Sequence, residues 1–262
     1  MNLNLEGKTA LVLASSKGLG KAAATALAEE GCRLALCARN EIVLKETAAE
    51  IQRKNDRPVF YRGVDVKNKS ELEAFIHETA EKFGSLDILV TNAGGPPVKS
   101  FEESTDDEWY EWYEVTFMSV VRSIHTVLPF MKEQRFGRII NITSISVKAP
   151  VERLIFSNAL RLAVVGLAKS LANELGPYGV TVNNVAPGYH LTEGLERIVK
   201  KKEEAGLARD VIFDEWKQRI PLRKIGMPRD LAGLITFLAS EQAGYITGTT
   251  VQVDGGLYPG VL

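Results

Sequence analysis

The sequence predicts an α/β fold in which helices cover both faces of a doubly wound parallel sheet of seven strands. Short apolar runs rich in Val, Ile and Leu alternate with longer amphipathic segments, the pattern of parallel strands joined by helices. The chain of 262 residues is long enough for one such domain with a large core. Because no repeat, linker or low-complexity tract interrupts it, a single domain spanning residues 1–262 is expected.

The individual elements follow in the order that such a sheet requires. The apolar runs that we assign to strands are TALVLA, RLALCA, PVFYRG, LDILVTN, GRIINIT, VTVNNV and TTVQVD. The helical patterns cover residues 19–30, 41–54, 69–83, 105–134, 152–176 and 228–239.

A charged helical insertion, residues 191–218, separates the sixth strand from the next helix. Ligands bind outside the carboxyl ends of the strands in these sheets, so we interpret 191–218 as a substrate lid. The plainer interpretation of its KKKEE run is a solvated helix face.

Composition and charge argue against several classes of function. Lys and Arg total 32 and Asp and Glu total 33, so neither a nucleic-acid nor a membrane partner is expected. The start of the chain lacks the pattern of a signal peptide, and no run approaches the roughly 18 apolar residues of a membrane span. A cytoplasmic location is therefore expected. Cys32 and Cys37 flank an apolar run and are expected to be buried hydrophobes, so we expect no metal site. The alternative is a disulfide or a metal site formed by this pair.

The first strand, a glycine turn and the first helix form a motif for binding a pyrophosphate. Gly18 and Gly20 let the backbone approach an anion closely, and the helix directs its N-terminal amides and dipole toward it. Gly18, Gly20 and Ala23 also fit the G-x-G-x-x-G/A spacing. The alternative is that these glycines serve only a tight turn.

The end of the second strand favours NADP(H) over NAD(H). An acid at this point would hold the ribose 2′-hydroxyl of NAD. Ala38 stands there instead, followed by Arg39, and Lys17 lies inside the glycine loop. Two cations without a carboxylate fit a 2′-phosphate. The alternative for Arg39 is an ordinary surface residue.

The motifs along the whole chain resemble those of the short-chain dehydrogenase/reductase family, which has a Rossmann-type fold. LASSKGLG is similar to its T-G-x-x-x-G-x-G, with Leu13 and Ala14 replacing Thr and Gly, and TNAG, PGYHLT and YITGTTVQVDGG match further motifs. Among members, 3-oxoacyl-acyl-carrier-protein reductases are the most alike. The resemblance implies that NADP(H) is bound by Ser15, Ser16, Lys17, Gly18, Leu19, Gly20, Arg39, Asp65, Val66, Asn92, Ala93, Gly94, Arg161, Pro187, Gly188 and Thr192.

The family's catalytic Asn-Ser-Tyr-Lys tetrad is substituted in this sequence. Ser144 matches the serine that holds the substrate oxygen, and Thr116 stands at the asparagine position. Ser157 and Arg161 stand at the positions of the tyrosine and the lysine. A serine hydroxyl has a pKa several units above that of Tyr (about 10), and Arg161 stays protonated. The family's usual proton transfer therefore cannot run with these residues, although Arg161 can bind ribose hydroxyls or a substrate carboxylate.

His190 is the candidate for the missing proton donor. It lies in PGYHLT, beside the nicotinamide site that the resemblance implies, and imidazole titrates near pH 6.5. We expect the Arg161 cation to lower its pKa. The alternative is that His190 only lines the pocket or forms a hydrogen bond there.

Two functions remain open from the sequence. The first is an NADP-dependent oxidoreductase with a rearranged acid–base set, acting on the carbonyl or hydroxyl group of a small molecule. The second is a nucleotide-binding protein that has lost catalysis and serves as a sensor or partner subunit. The resemblance further implies a homotetramer, with contacts through helices 105–134 and 152–176 and the C-terminal VDGGLYPGVL.

Overall fold

The computed structural model describes residues 2–55 and 57–261, and its strands form one sheet in which every pairing is parallel. The strands are β1 (Thr9–Val12), β2 (Arg33–Ala38), β3 (Val59–Gly63), β4 (Ile88–Thr91), β5 (Gly137–Ile142), β6 (Val180–Pro187) and β7 (Thr250–Val253). Their spatial order is β3-β2-β1-β4-β5-β6-β7. The predicted doubly wound sheet of seven parallel strands is therefore confirmed, with its switch point between β1 and β4.

Helices connect the strands on both faces of the sheet. They are α1 (Gly18–Glu29), α2 (Glu41–Asn55), α3 (Lys69–Phe83), α4 (Asp106–Tyr113), α5 (Ser119–Gln134), α6 (Ile155–Leu175), α7 (Glu193–Glu204), α8 (Arg209–Arg219) and α9 (Pro228–Ala239).

Alternation along the strands divides the apolar side chains between two cores. Leu36 and Val90 belong to the core covered by α1, α2 and α9, whereas their neighbours Cys37 and Leu89 belong to the core covered by α3, α5 and α6. Cys32 and Cys37 are free and buried, and burial raises the pKa of both thiols to about 12. Both therefore behave as small hydrophobes, as the sequence predicts.

Residues 105–134, predicted as one helix, form two helices joined by a π-helical turn at Glu114–Met118. A π turn adds one residue to the helical repeat and takes backbone groups out of the α-helical ladder, and such turns are frequent at functional sites. Apolar side chains recur on both sides of the turn, so their spacing alone does not show it. Thr116 lies in the middle of this turn.

The insertion 191–218 forms α7 and α8, which pack on each other through an apolar core of their own. Leu195 and Val199 of α7 meet Ile212 and Trp216 of α8. Tyr189, which precedes the insertion, stacks on Trp216 with ring centroids 4.9 Å apart. This core is separate from the two cores of the sheet. Helices α7 and α8 therefore form a small structural unit with its own core. Its role as a substrate lid stays a prediction.

Among the described residues, α6 is the one helix that is long and apolar enough to cross a membrane by length and composition alone. A window of 18 residues within Ile155–Tyr178 has a mean hydropathy of 1.3, although Arg161 and Lys169 interrupt its apolar residues. In the fold, Val164 and Ala168 of α6 pack into the core under the sheet. Only 33% of the apolar window is buried, which leaves an apolar face that includes Leu162 open.

Candidate active site

The loop between β1 and α1 is tied to the neighbouring elements. Ser15 donates its backbone N–H and its hydroxyl to the Cys37 carbonyl of β2, at 3.0 and 3.3 Å. Thr47 of α2 donates its hydroxyl to the Ser16 carbonyl at 2.8 Å. Both donors of Ser15 are thus used inside the fold, so this residue positions the loop, and its binding of a cofactor stays a prediction. Sequence reasoning missed Thr47, although a polar residue on the buried face of an amphipathic helix was a usable signal.

Ala14 and Gly20 make the closest backbone approach in this loop. Ala14 has a left-handed φ of 46° at the position where the family motif has glycine. Its carbonyl accepts a hydrogen bond from Asn92 Nδ2 at 3.1 Å, which links the loops after β1 and β4. A Cβ added at Gly20 would lie 2.6 Å from the Ala14 oxygen and 2.7 Å from Asn92 Nδ2. The glycines keep the helix N-terminus uncovered, which fits a dinucleotide pyrophosphate.

Lys17 and Arg39 have different surroundings. Arg39 is exposed and forms no salt bridge within the described part of the chain. Lys17 Nζ lies 2.8 Å from Glu193 Oε2, a partner that sequence reasoning did not identify. Thr192 Cβ lies 3.6 Å from the position that a Cβ on Gly18 would take. The start of the insertion therefore contacts the phosphate loop directly.

The other candidates for cofactor binding lie where strands end. Asp65 Oδ1 accepts a hydrogen bond from the Lys67 N–H at 3.1 Å, which leaves its second carboxylate oxygen for a ligand. The candidates that follow or end β3, β4 and β6 at the carboxyl edge of the sheet are Asp65, Val66, Asn92, Ala93, Gly94, Pro187, Gly188 and Thr192.

A group of hydrogen-bonded serines follows β5. Ser144 Oγ accepts a hydrogen bond from the Ser146 N–H at 3.1 Å, and Ser146 Oγ lies 3.0 Å from Ser157 Oγ. Ser146 and Ser157 are only 3% and 4% exposed, whereas Ser144 is half-buried. The Ser157 hydroxyl is thus engaged inside the fold, and the Ser144 O–H can donate elsewhere. Ser146 was not singled out from the sequence, where its only signal was its spacing of two from Ser144.

Arg161 reaches from α6 to the end of β5, where its Nη1 donates to the Ile142 carbonyl at 2.8 Å. Burial lowers its pKa to about 10, so the guanidinium stays protonated at neutral pH. Thr116 is 3% exposed, and its Oγ1 has no hydrogen-bond partner among the described residues. Thr116 and Arg161 line one cavity of about 10 Å³, which is close to the space that one water molecule needs.

His190 precedes the insertion, is buried, and forms an isolated parallel β-bridge with Gly226, which follows the insertion. Its Nδ1 lies 3.3 Å from the Gly188 carbonyl oxygen, and a Cβ on Gly226 would lie 3.0 Å from its Nε2. Nε2 has no hydrogen-bond partner in the described structure. Burial lowers the pKa of His190, whereas the hydrogen bond with the Gly188 carbonyl and the nearby carboxylates act in the opposite direction. The expected direction is therefore right, but its cause is desolvation and not the Arg161 cation.

A groove of about 920 Å³ lies between α1, α9 and the start of α7, lined in part by Lys21, Thr192 and Pro228. The serines after β5 do not line this groove. The groove is therefore not taken as the candidate catalytic site, despite its large volume. Among residues 2–55 and 57–261, no group of three or more His, Cys, Asp or Glu side chains could hold a metal ion.

Known proteins are similar to this chain in sequence and in fold. The family model described as Enoyl-(Acyl carrier protein) reductase matches residues 13–258. The 3-oxoacyl-acyl-carrier-protein reductase FabG of Haemophilus influenzae is 35% identical over 254 residues, which cover 97% of this chain and 99% of that protein.

Solved structures of reductases are also similar to this chain over nearly its whole length. L-Sorbose reductase from Gluconobacter frateurii, complexed with NADPH and L-sorbose, has a TM-score of 0.95 and 30% identity over 100% of both chains. YwfH, an NADPH-dependent reductase involved in bacilysin biosynthesis, has a TM-score of 0.92 and 26% identity, covering 97% of this chain and 99% of that one. The phosphate loop, the parallel sheet and a family match along nearly the whole chain lead to one conclusion: this chain belongs to the short-chain dehydrogenase/reductase family of oxidoreductases.

Proposed function

We propose that the protein is an NADP(H)-dependent oxidoreductase that acts on the carbonyl or hydroxyl group of a small molecule. The observation that carries this proposal is the hydrogen bond from Asn92 to Ala14, because it joins the phosphate loop to the edge of the sheet where Ser144 and Arg161 lie. The similarity to FabG and to an L-sorbose reductase complexed with NADPH supports it. Residues 1–262 then act as one NADP-binding domain, with 191–218 as the substrate lid.

The chain's own residues supply binding and electrostatic stabilisation in this proposal. Bound NADPH provides a hydride for the carbonyl carbon. The Ser144 hydroxyl donates a hydrogen bond to the substrate oxygen, and the protonated Arg161 stabilises the negative charge that develops there. Ser157 holds Ser146 and through it Ser144, so it acts as a positioning residue and not as the acid. Thr116 and Arg161 line the small cavity of about 10 Å³ described above.

Cofactor choice gives the most direct test of this proposal. A charge-assisted hydrogen bond is worth about 1.5–3 kcal/mol, so NADPH should bind about tenfold or more tightly than NADH. Arg39→Asp should narrow or reverse this difference, whereas Arg53→Asp, which changes a cation at the other end of α2, should not. Fluorescence titration measures both affinities. Equal affinities in the parent protein would contradict the proposed choice of NADP(H).

His190 is the proposed proton donor, because its unpaired Nε2 belongs to a titratable group on the turn after Pro187. General acid help is worth about 10²–10⁴ in rate. His190→Ala should therefore slow the single-turnover hydride step about 10²-fold, with NADPH affinity unchanged. A variant with the parent's rate at each pH would remove His190 from the mechanism.

The second candidate function is a nucleotide-binding protein without catalysis, acting as a sensor or partner subunit. Ser157, which stands at the tyrosine position, favours this candidate. Its hydroxyl is hydrogen-bonded to Ser146, and no tyrosine hydroxyl is present there to act as the acid. A panel of carbonyl compounds, including 3-oxoacyl thioesters and L-sorbose, separates the two functions. Oxidation of NADPH that depends on one of these compounds supports the enzyme, whereas tight binding without turnover supports the second candidate.

We also propose that the protein assembles as a homotetramer in the cytoplasm. The exposed apolar side chains on α4 and α6 support this assembly, since Tyr110 is 72% exposed and Leu162 is 51% exposed. Burial of such a face between copies would remove it from water.

A further inference from the structure

The insertion and the phosphate loop meet at one charged contact. Lys17 Nζ and Glu193 Oε2 are 2.8 Å apart, and the two side chains are 49% and 61% exposed. Lys17 is the residue that precedes α1, with extended backbone, and Glu193 is the first residue of α7. Next to this pair, Thr192 lies against Gly18. The contact therefore holds the beginning of α7 on the loop.

Neighbouring charged residues have partners elsewhere. Lys21, one turn further along α1, pairs with Glu50 of α2 at 2.7 Å. Glu196, one turn further along α7, accepts two hydrogen bonds from Arg209 of α8, at 2.7 and 2.9 Å. Among the described residues, the contact between Lys17 and Glu193 is therefore the one ion pair that joins the insertion to the phosphate loop.

The proposed function gives Lys17 a second anionic partner. A phosphate monoester carries nearly two negative charges at neutral pH, and a carboxylate held on the same ammonium group would repel it. NAD(H) carries an uncharged 2′-hydroxyl where NADP(H) carries the 2′-phosphate, so it does not compete with a carboxylate for Lys17. We propose that Glu193 is a cofactor-discriminating latch, which holds Lys17 in the free protein and is displaced by the 2′-phosphate of NADP(H). This proposal rests on the proposed choice of cofactor.

Cofactor affinities test the latch directly. Glu193→Gln removes the competing charge, so NADPH should bind about two- to fivefold more tightly, the range expected for an exposed ion pair. The affinity for NADH should not change. Glu196→Gln is the matched control, because it removes another acid from the first turn of α7 without touching Lys17. An equal effect of Glu193→Gln on both cofactors, or the same effect from Glu196→Gln, would overturn the proposal.

The position of the insertion gives a second readout, which does not depend on turnover. Lys200 and Lys201 are exposed on α7, and trypsin cleavage there reports how firmly α7 is held. Adenosine 2′-monophosphate should speed this cleavage severalfold in the parent protein, while adenosine 5′-monophosphate should not. Glu193→Gln should be cleaved at the faster rate without either nucleotide. Equal cleavage with the two nucleotides would overturn the latch.

The two measurements separate failure of the latch from failure of the cofactor choice. A parent protein that binds NADPH and NADH equally overturns both proposals. A parent protein that prefers NADPH, combined with an unchanged ratio in Glu193→Gln, overturns the latch alone.

Discussion

Thr116 places a hydroxyl group in the interior beside a protonated guanidinium. Its Oγ1 lacks a hydrogen-bond partner among the described residues, yet it shares a cavity of about 10 Å³ with Arg161. A polar cavity of this size suits one ordered water molecule that bonds to both groups. Thr116→Val should then lower the free energy of unfolding by about 1 kcal/mol, and Thr116→Ser should keep it. Chemical denaturation measures both, and a valine variant as stable as the parent would contradict the expected water.

His190 makes stability depend on pH. Burial lowers its pKa in the folded state, and the Gly188 hydrogen bond and the charges of Asp230 and Asp254 offset this in part. The unfolded chain therefore takes up a proton first as the pH falls. Neutral His190 therefore contributes to the free energy of unfolding. This contribution is fully present above about pH 6.5, the pKa in the unfolded chain, and is lost as the pH falls toward the lower pKa of the folded state.

The variant His190→Gln isolates this contribution. Between about pH 7.5 and 5.5, the parent should lose more free energy of unfolding than the variant, by up to about 1 kcal/mol. Urea unfolding at both pH values measures the difference. Parallel losses in the two proteins would mean that His190 titrates alike in both states.

Residue types and their spacing identified the candidate site, but not the partners of its residues. Ser144, Ser157 and Arg161 could be singled out because each stands in a motif with a defined register. The contact between Lys17 and Glu193 joins residues that are far apart in the chain, so only the folded chain brings them together. The pKa of His190 was assigned to the wrong cause for the same reason, because burial is not visible in a sequence.

At the scale of elements, the packing of the phosphate loop requires a residue without a side chain at Gly20. Gly20→Ala would push a Cβ against the Ala14 oxygen and Asn92 Nδ2, and such overpacking costs about 1–3 kcal/mol. We expect this loss of stability together with weaker cofactor binding. Gly233→Ala is the matched control in α9, because nothing lies within 4 Å of its added Cβ, and it should stabilise by about 0.5–1 kcal/mol. Thermal unfolding and nucleotide titration of both variants check this, and equal stabilities would refute the close approach.

Strands were easier to predict than helix interruptions. RLALCA forms β2 with the predicted bounds, Arg33–Ala38, because a buried parallel strand is apolar throughout its length. The helix predicted over 105–134 instead contains a π turn, because apolar spacing records which side faces the core and not how the backbone is bonded.

At the scale of the whole molecule, the open face of α6 should determine assembly. Leu162 is 51% exposed there, and an arginine at its place would put a charge into the proposed contact between copies. Leu162→Arg should lower the molar mass measured by light scattering while leaving the circular dichroism unchanged. Leu207→Arg, at a residue of the insertion that is 42% exposed, should keep the parent's mass. A common mass for both variants would exclude this face from the interface.

The packing of α1 against α9 has a consequence for the order in which the chain can fold. Helix α1 ends at Glu29, whereas α9 begins only at Pro228, so about 200 residues must be made before the cover of α1 exists. At roughly 5–20 residues per second, the ribosome needs on the order of 10–40 s for that length. During this time Ala24 and Leu27 cannot complete their native contacts. A nascent chain of this protein therefore carries an uncovered apolar surface until synthesis is nearly finished, and prematurely terminated chains keep it.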